Sequence, residues 1–268
     1  MTVEIFDVHY HFGRHYSEWL DGEPAPDAEW AEATYQERVE EMGRVGCDRS
    51  VVLPGDFYPR VDGLAATRRA NDLVHGLVQR DPDRFPFGLG TVDPQYGPAG
   101  LAEIDRIHDI GLIGVTYHPR WQGLWADDPW IVRQVDRLAE LAMLPMIHCV
   151  AESTLESPML IELVASRHPE HPLVVLDAMS GPTSAKECRA IAHRNPNLWF
   201  DISIAWHPLE VLQFVREVGH ERLVFGRPGW TVSSPETLLA FGGGLPQQVV
   251  DDIVRHNLDR LLAGFAKS

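Results

Sequence analysis

Residues 3–11 have the sequence VEIFDVHYH, an apolar strand that ends in two histidines separated by one residue. Side chains alternate between the two faces of a strand, so Asp7, His9 and His11 are predicted to project from one face. Two imidazoles held close together on a rigid element form half of a metal site. An isolated His-x-His is also common at strand ends that bind nothing. Its position at the end of the first strand favours a functional site here.

Short apolar runs alternate with amphipathic stretches along the whole chain. After the first strand, the pattern predicts strands at residues 50–53, 87–92, 113–117, 144–148, 173–176, 198–204 and 222–225. It predicts helices at residues 34–45, 64–79, 99–110, 131–142, 158–166, 184–194, 209–218 and 247–262. About eight β-α units in a chain of 268 residues are typical of a (β/α)8 TIM barrel.

The first strand also separates this fold from its main alternative, a doubly wound open sheet. An open sheet of that kind usually has a Gly-rich phosphate loop after its first strand, where this chain has histidines. We therefore predict one α/β domain over residues 1–268. The Pro- and acid-rich segment 13–32 is predicted to form a long loop or lid after the first strand.

The composition excludes several classes of partner. With 23 basic and 39 acidic residues, the formal net charge is −16, which repels nucleic-acid backbones and anionic membranes. No apolar run approaches the roughly 20 residues that a membrane-spanning helix needs, and we see no secretory signal pattern. Three scattered cysteines favour reduced thiols, so we expect a cytoplasmic protein that acts on a small molecule. A homodimer is the default expectation for its assembly.

Catalytic groups of a TIM barrel lie at the carboxyl ends of the strands and in the loops that follow. The chain places histidine, aspartate or arginine at several predicted strand ends. These residues are His9, His11, His118, His148, Asp177, His207 and Arg227. They are far apart in the sequence, but the barrel is predicted to bring them to one mouth.

The order and spacing of these motifs resemble the amidohydrolase superfamily, in particular the amidohydrolase-2 branch that includes aminocarboxymuconate-semialdehyde decarboxylase. The resemblance covers nearly the whole chain. It rests on DVHYH at 7–11, VVLP at 51–54, GTVDP at 90–94, GVTYHP at 114–119, PMIH at 145–148, VVLD at 174–177, RLVFG at 222–226 and NLDRLL at 257–262. It implies a TIM-barrel enzyme that hydrolyses or decarboxylates a small carboxylated, unsaturated or cyclic compound. It also implies a divalent metal, with zinc expected, at His9, His11 and His148.

The chain departs from the family pattern at two strand ends. The histidine that typically follows the sixth strand is replaced by Ala178, and the aspartate of the eighth strand is absent around Arg227 and Pro228. An inward-pointing arginine would repel a dication, but three neutral imidazoles can still hold zinc with an open fourth position. Three interpretations therefore stay open. They are a metal-dependent enzyme, a metal-free lactonase-like enzyme, and a barrel that binds a ligand without catalysis.

The remaining candidates lie in the predicted mouth loops. His118 is the first choice for proton transfer, since imidazole titrates near neutral pH, and His207 is a second choice. Asp177 is a further catalytic candidate, although strand alternation would turn it away from the barrel interior, towards a helix, unless it lies in the loop. Forked hydrogen bonds to a substrate carboxylate are predicted for Arg14, Arg120 and Arg227. An aromatic rim is predicted from Trp121, Trp125 and Trp230, with Phe57 and Tyr58.

Overall fold

The computed structural model describes residues 4–13, 28–55, 62–151, 153–205, 207–227 and 244–265. Its strands are β1 (Ile5–Phe12), β2 (Cys47–Pro54), β3 (Phe87–Thr91), β4 (Gly114–Tyr117), β5 (Leu144–His148), β6 (Leu173–Leu176), β7 (Leu198–Asp201) and β8 (Leu223–Val224). All neighbouring strands pair in parallel, in the order β1 to β8. The backbone N–H of Val8 donates to the carbonyl of Phe225 at 2.9 Å, which joins the two ends of the sheet. The predicted TIM barrel is confirmed.

Helices follow the strands. They are α1 (Ala28–Val45), α2 (Leu64–Arg80), α3 (Pro98–Asp109), α4 (Pro119–Gln122), α5 (Pro129–Glu140), α6 (Pro158–Ala165), α7 (Pro182–Arg194), α8 (Pro208–Glu217), α9 (Gln247–Asp251) and α10 (Asn257–Leu262). Helices α3 to α8 all begin with proline, whose fixed φ and missing N–H suit the first helical turn. The described helices include none that is both long and apolar enough to cross a membrane.

Helix α1 and strand β7 differ from the sequence-based boundaries. The predicted loop over residues 13–32 is wrong from residue 28 onward, because α1 already begins at Ala28. The Trp30 ring packs 5.7 Å from that of Phe12, so this first turn gains a contact with the barrel. The rest of the predicted lid, residues 14–27, lies outside the described residues. Strand β7 ends at Asp201 rather than at residue 204.

The hydrophobic core has two layers separated by the barrel wall. Along the strands, alternate residues belong to different clusters: Met146 and Val174 pack in the barrel interior, whereas Ile147 and Val175 pack against the helices. This alternation follows from the period of two of a strand. Apolar side chains fill the barrel interior along the strands, so the mouth is lined by the polar side chains at the strand ends.

A register shift in β1 changes where its polar side chains point. The pairing with β2 passes from Asp7 opposite Ser50 to Tyr10 opposite Val52, so β1 contains one extra residue. The Asp7 carboxylate consequently pairs with Arg38 of α1, with 2.7 Å between Arg38 Nη2 and Asp7 Oδ2. The prediction that Asp7 shares a face with both histidines is wrong, because the bulge breaks the alternation.

The C-terminal helical segment completes the wall beside β8, which is only two residues long. A π-helical stretch, Asp252–His256, lies between α9 and α10. The carbonyl of Ile253 accepts a hydrogen bond from the Phe225 backbone N–H at 3.1 Å. The Asn257 amide donates to the carbonyl of Leu223 at 2.9 Å. These bonds satisfy backbone groups that a longer strand would satisfy by pairing.

We predict that the buried Asp7–Arg38 pair is a major determinant of stability. Asp7 and Arg38 are 0% and 2% exposed, so Arg38→Ala leaves a buried carboxylate without its cation and should cost about 3–5 kcal/mol of unfolding free energy. The control is Arg69→Ala, which removes an exposed pair with Asp62 and should cost less than about 1 kcal/mol. Urea denaturation measures both. Equal losses in the two variants would contradict the prediction.

Candidate metal centre

Three imidazoles from two distant parts of the chain meet at the mouth of the barrel. His9 and His11 project from β1, and His148 is the last residue of β5. The Nε2 atom of His9 lies 2.9 Å from that of His11 and 3.2 Å from that of His148. The His11 and His148 Nε2 atoms are 3.3 Å apart. The structure thus brings the three sequence-predicted metal ligands together, and their donor atoms face one point.

The other ring nitrogen of each histidine is held by an acceptor. His11 Nδ1 lies 2.7 Å from the carbonyl of Pro54, and His148 Nδ1 lies 2.8 Å from the carbonyl of Tyr117. His9 Nδ1 lies 2.9 Å from Oδ2 of Asp201. Carbonyl and carboxylate oxygens only accept, so the ring protons belong on Nδ1. Each Nε2 atom then presents a lone pair to the other two.

Three converging lone pairs need a cation between them. Ligands about 2.05 Å from one tetrahedral ion are about 3.3 Å apart, close to the separations observed here. Neutral imidazole nitrogen is a common ligand for divalent transition metals. The donor set therefore fits a single divalent ion. A proton on His9 is the other way to supply a positive charge at this point.

The surroundings of His9 favour positive charge. Burial lowers the pKa of His9, but the carboxylates of Asp177 and Asp201 outweigh burial and raise it to about 9. Asp177 Oδ1 lies 3.7 Å from His9 Nδ1. The hydroxyl oxygen of Ser203 lies 2.9 Å from Asp177 Oδ1 and 3.2 Å from His9 Nδ1. Two buried acids and a hydroxyl thus surround one side of the ring.

Asp177 reaches His9 because it is not part of the strand. It follows β6 in a turn with φ of 58°, which redirects its side chain towards the barrel mouth. Asp177 thus lies in the loop, the one case in which strand alternation does not turn it towards a helix. Ala178, the next residue, packs in the outer hydrophobic cluster. Burial and the neighbouring Asp201 raise the pKa of the Asp177 carboxyl, although the His9 cation opposes them.

His118 lies against the three-histidine cluster. Its ring stacks on that of His148 with 4.1 Å between centroids and an interplanar angle of 2°. Its Nδ1 atom is 3.1 Å from Oε2 of Glu156, which is fully buried. Burial and the surrounding histidines lower the pKa of His148, which keeps its imidazole in the neutral, metal-binding form.

The structure places the other predicted residues at different distances from this cluster. Trp121 packs edge-on against His118, with 5.8 Å between centroids, and Arg120 lies over the Trp121 ring at 4.6 Å. Trp125 is 51% exposed. His207 is exposed just before α8, and within the described residues no contact joins it to the three imidazoles. The predicted residues outside the described part of the chain are Arg14, Phe57, Tyr58 and Trp230.

Three residues of this site are not predicted from the sequence. Asp201 and Ser203 fell inside the predicted seventh strand, whose true end at Asp201 would have marked both as mouth residues. Glu156 lies in a short 3-10 helix, Thr154–Glu156, and nothing in the sequence separates it from the other acidic residues of the loops. Its full burial in the structure is the signal that singles it out.

Fold and site together define a (β/α)8 barrel with a histidine cluster at the carboxyl ends of its strands, an arrangement typical of TIM-barrel enzymes. The sequence profile of the Amidohydrolase family matches residues 6–263. The chain therefore belongs to the amidohydrolase family and is an enzyme of that family. No protein of curated function matches the chain in sequence.

Similar solved structures include several decarboxylases. The 5-carboxyvanillate decarboxylase from Sphingomonas paucimobilis is 16% identical with a TM-score of 0.70, over 98% of this chain and 99% of the other. The 2,6-dihydroxybenzoate decarboxylase from Rhizobium has the same values. A dihydroxybenzoic acid decarboxylase from Polaromonas, with bound manganese and 2-nitroresorcinol, is 14% identical with a TM-score of 0.69, over 98% and 97% of the chains. At these identities the likeness shows the fold.

We predict that protein stripped with a chelator takes up about one equivalent of Zn²⁺ or Mn²⁺. His148→Ala should weaken binding by more than roughly 100-fold, because loss of a ligand exceeds the 10- to 100-fold cost of losing a supporting hydrogen bond. His171→Ala is the matched control, since its ring bonds to the Met143 carbonyl and lies outside the cluster. Calorimetric titration measures both. Wild-type affinity in His148→Ala would show that the cluster does not bind the ion.

Proposed function

We propose that this protein is a metal-dependent enzyme that removes carbon dioxide from a small aromatic or unsaturated carboxylate. The observation that carries the proposal is the convergence of the three Nε2 atoms within 3.3 Å, with each Nδ1 held by an acceptor. The decarboxylases of 5-carboxyvanillate and 2,6-dihydroxybenzoate among the similar structures support it. Three of the similar structures, one of a dihydroxybenzoic acid decarboxylase and two of a 5-carboxyvanillate decarboxylase, contain manganese, so manganese joins the expected zinc as a candidate ion.

A divalent ion held by His9, His11 and His148 would polarise a substrate oxygen as a Lewis acid. The substrate carboxylate also needs a positively charged side chain to bind it, and Arg227 is our candidate for this role. Arg227 lies three residues after β8, and its Nε atom is buried without a hydrogen-bond partner among the described residues. Arg120 suits this role less well, because its Nε atom lies 3.6 Å from the buried Glu156 carboxylate.

His118 is the group we assign to proton transfer. The Glu156 carboxylate accepts the Nδ1 proton, which leaves Nε2 as the nitrogen that exchanges a proton with the substrate. In the proposed reaction the bond between the carboxylate carbon and its neighbour breaks and carbon dioxide leaves. The electron pair stays on the neighbouring carbon, which takes the proton. Trp121, packed against His118, would form part of the wall for a flat substrate.

Three other hypotheses give different results in the same assay. Hydrolysis of a lactone or amide would release an acid without carbon dioxide. A metal-free enzyme would keep its activity after chelation. A barrel that binds without catalysis would retain ligand affinity and show no turnover of any compound. The experiment is a panel of hydroxybenzoates, muconate-type acids and lactones, assayed for carbon dioxide release and for hydrolysis with and without added metal.

We predict that His118→Ala lowers kcat for the best carboxylate substrate by about 10²- to 10⁴-fold, the usual contribution of a positioned acid or base. The Michaelis constant should change little, because proton transfer acts in the transition state. Carbon dioxide release measures the effect. The control is His108→Ala on α3, whose side chain is 40% exposed and pairs with Asp109. A kcat unchanged in His118→Ala would remove this residue from the mechanism.

We predict that Arg227→Gln lowers kcat/KM for carboxylates by about 10- to 150-fold, because a hydrogen bond to a charged group contributes about 1.5–3 kcal/mol. Arg120→Gln is the comparison variant and should have a smaller effect, since that guanidinium already faces Glu156. Steady-state kinetics on one substrate decide between them. The reverse order of effects would assign the carboxylate to Arg120.

A further inference from the structure

His9 differs from its two partners in the acceptor that fixes its ring. His11 and His148 bond to neutral backbone carbonyls, whereas His9 bonds to the Asp201 carboxylate. A carboxylate on the far nitrogen orients a ligating imidazole, fixes its tautomer and makes it a stronger donor. Among the three rings, His9 is therefore the one that a neighbouring negative charge makes a stronger metal ligand.

The Asp201 side chain is fixed on both oxygens. It is 0% exposed. Its Oδ1 atom accepts from the Ser203 backbone N–H at 2.9 Å, and its Oδ2 atom accepts from the Asp177 backbone N–H at 3.2 Å. Oδ2 also accepts from the Ser203 hydroxyl. Hydrogen bonds to both of its oxygens fix the orientation of this carboxylate, as is required of a group that orients another side chain.

The approach of Asp201 to His9 depends on a glycine. A Cβ atom at position 226 would lie 2.3 Å from Asp201 Oδ1 and 2.9 Å from the Cβ of His9. Real Cβ atoms essentially never make non-bonded contacts this short, so any side chain at this position would displace Asp201, His9 or both. Gly226 therefore provides the space at the end of β8 that the Asp201 carboxylate fills.

We propose that Asp201 is the positioning residue for His9 and supplies, through that ring, the negative charge that balances the cation at the three Nε2 atoms. Ser203 and Gly226 hold this carboxylate in place. The inference rests on the metal-dependent function proposed above. The negatively charged group of the proposed metal site then belongs to β7. The Asp201 carboxylate does not itself face the point where the Nε2 atoms converge, because it contacts His9 on Nδ1.

A second ion between His9 Nδ1, Asp177 and Asp201 is the alternative use of these acids, since their donor atoms are also close together. The contacts of Ser203 favour a hydrogen-bonded network instead. Its hydroxyl oxygen lies 3.2 Å from His9 Nδ1 and 2.9 Å from Asp177 Oδ1, and it donates to Asp201. The space between these groups is thus taken by a side chain.

The test compares Zn²⁺ affinity in chelator-stripped wild type, Asp201→Asn and Gly226→Ala. Asparagine keeps the shape and removes the charge, and the alanine methyl displaces the carboxylate without removing it. Each variant should bind one equivalent of Zn²⁺ roughly 10- to 100-fold more weakly. The control, Ile202→Val, alters the neighbouring outer-core residue and should bind within twofold of wild type. Wild-type affinity in both Asp201→Asn and Gly226→Ala would overturn the inference, and two equivalents in wild type would favour the second ion.

A second readout needs no metal. In stripped protein labelled with ¹⁵N-histidine, the chemical shifts of His9 should show a proton fixed on Nδ1 in wild type and not in Asp201→Asn. If wild type binds no Zn²⁺, the metal-dependent function fails, and this comparison alone decides the role of Asp201. Identical His9 spectra would then overturn it. Should Asp201→Asn not fold by circular dichroism, Gly226→Ala, whose methyl group displaces the carboxylate, replaces it, with the same change in the spectrum expected and an unchanged spectrum contradicting the inference.

Discussion

The mouth of this barrel is organised around three imidazole Nε2 atoms held 2.9–3.3 Å apart, a spacing that a metal ion or a proton between them would stabilise. Left to themselves, three neutral rings would rotate so that an N–H of one donates to another. The protein prevents this by giving each Nδ1 atom an acceptor of its own. Pro54 and Tyr117 supply backbone carbonyls from the ends of β2 and β4, and Asp201 supplies a carboxylate from β7. These acceptors set the orientation of all three rings, although none of them faces the point where the Nε2 atoms meet.

The same site depends on how the barrel closes. The Oδ1 atom of Asp7 accepts from the backbone N–H groups of His9 and Arg227, both at 2.8 Å, and so ties the bulge of β1 to the end of β8. Its other oxygen pairs with Arg38 of α1. One buried ion pair therefore fixes the strand that carries two of the three histidines. Stability and site geometry are coupled at this point of the fold.

The fold was predicted from the periodicity of the sequence, whereas the set of three histidines was predicted from strand-end positions together with the resemblance to the amidohydrolase family. In an eight-stranded barrel, β1 and β5 lie on opposite sides, and their carboxyl ends bring His9 and His148 to the same mouth. Strand alternation fails where the backbone leaves regular β geometry. The bulge in β1 turns Asp7 towards a helix, and the positive φ of Asp177 turns its side chain towards the mouth. Asp201 was missed because the apolar run continues past the true end of β7.

The central claim is that the three histidines share one metal ion. The most direct measurement is X-ray absorption at the zinc edge of protein loaded with one equivalent of Zn²⁺. We predict a shell of nitrogen atoms at about 2.0–2.1 Å, with the outer-shell scattering of three imidazoles. A shell of carboxylate and water oxygens without imidazole scattering would contradict the claim, as would sulfur at about 2.3 Å from one of the buried cysteines.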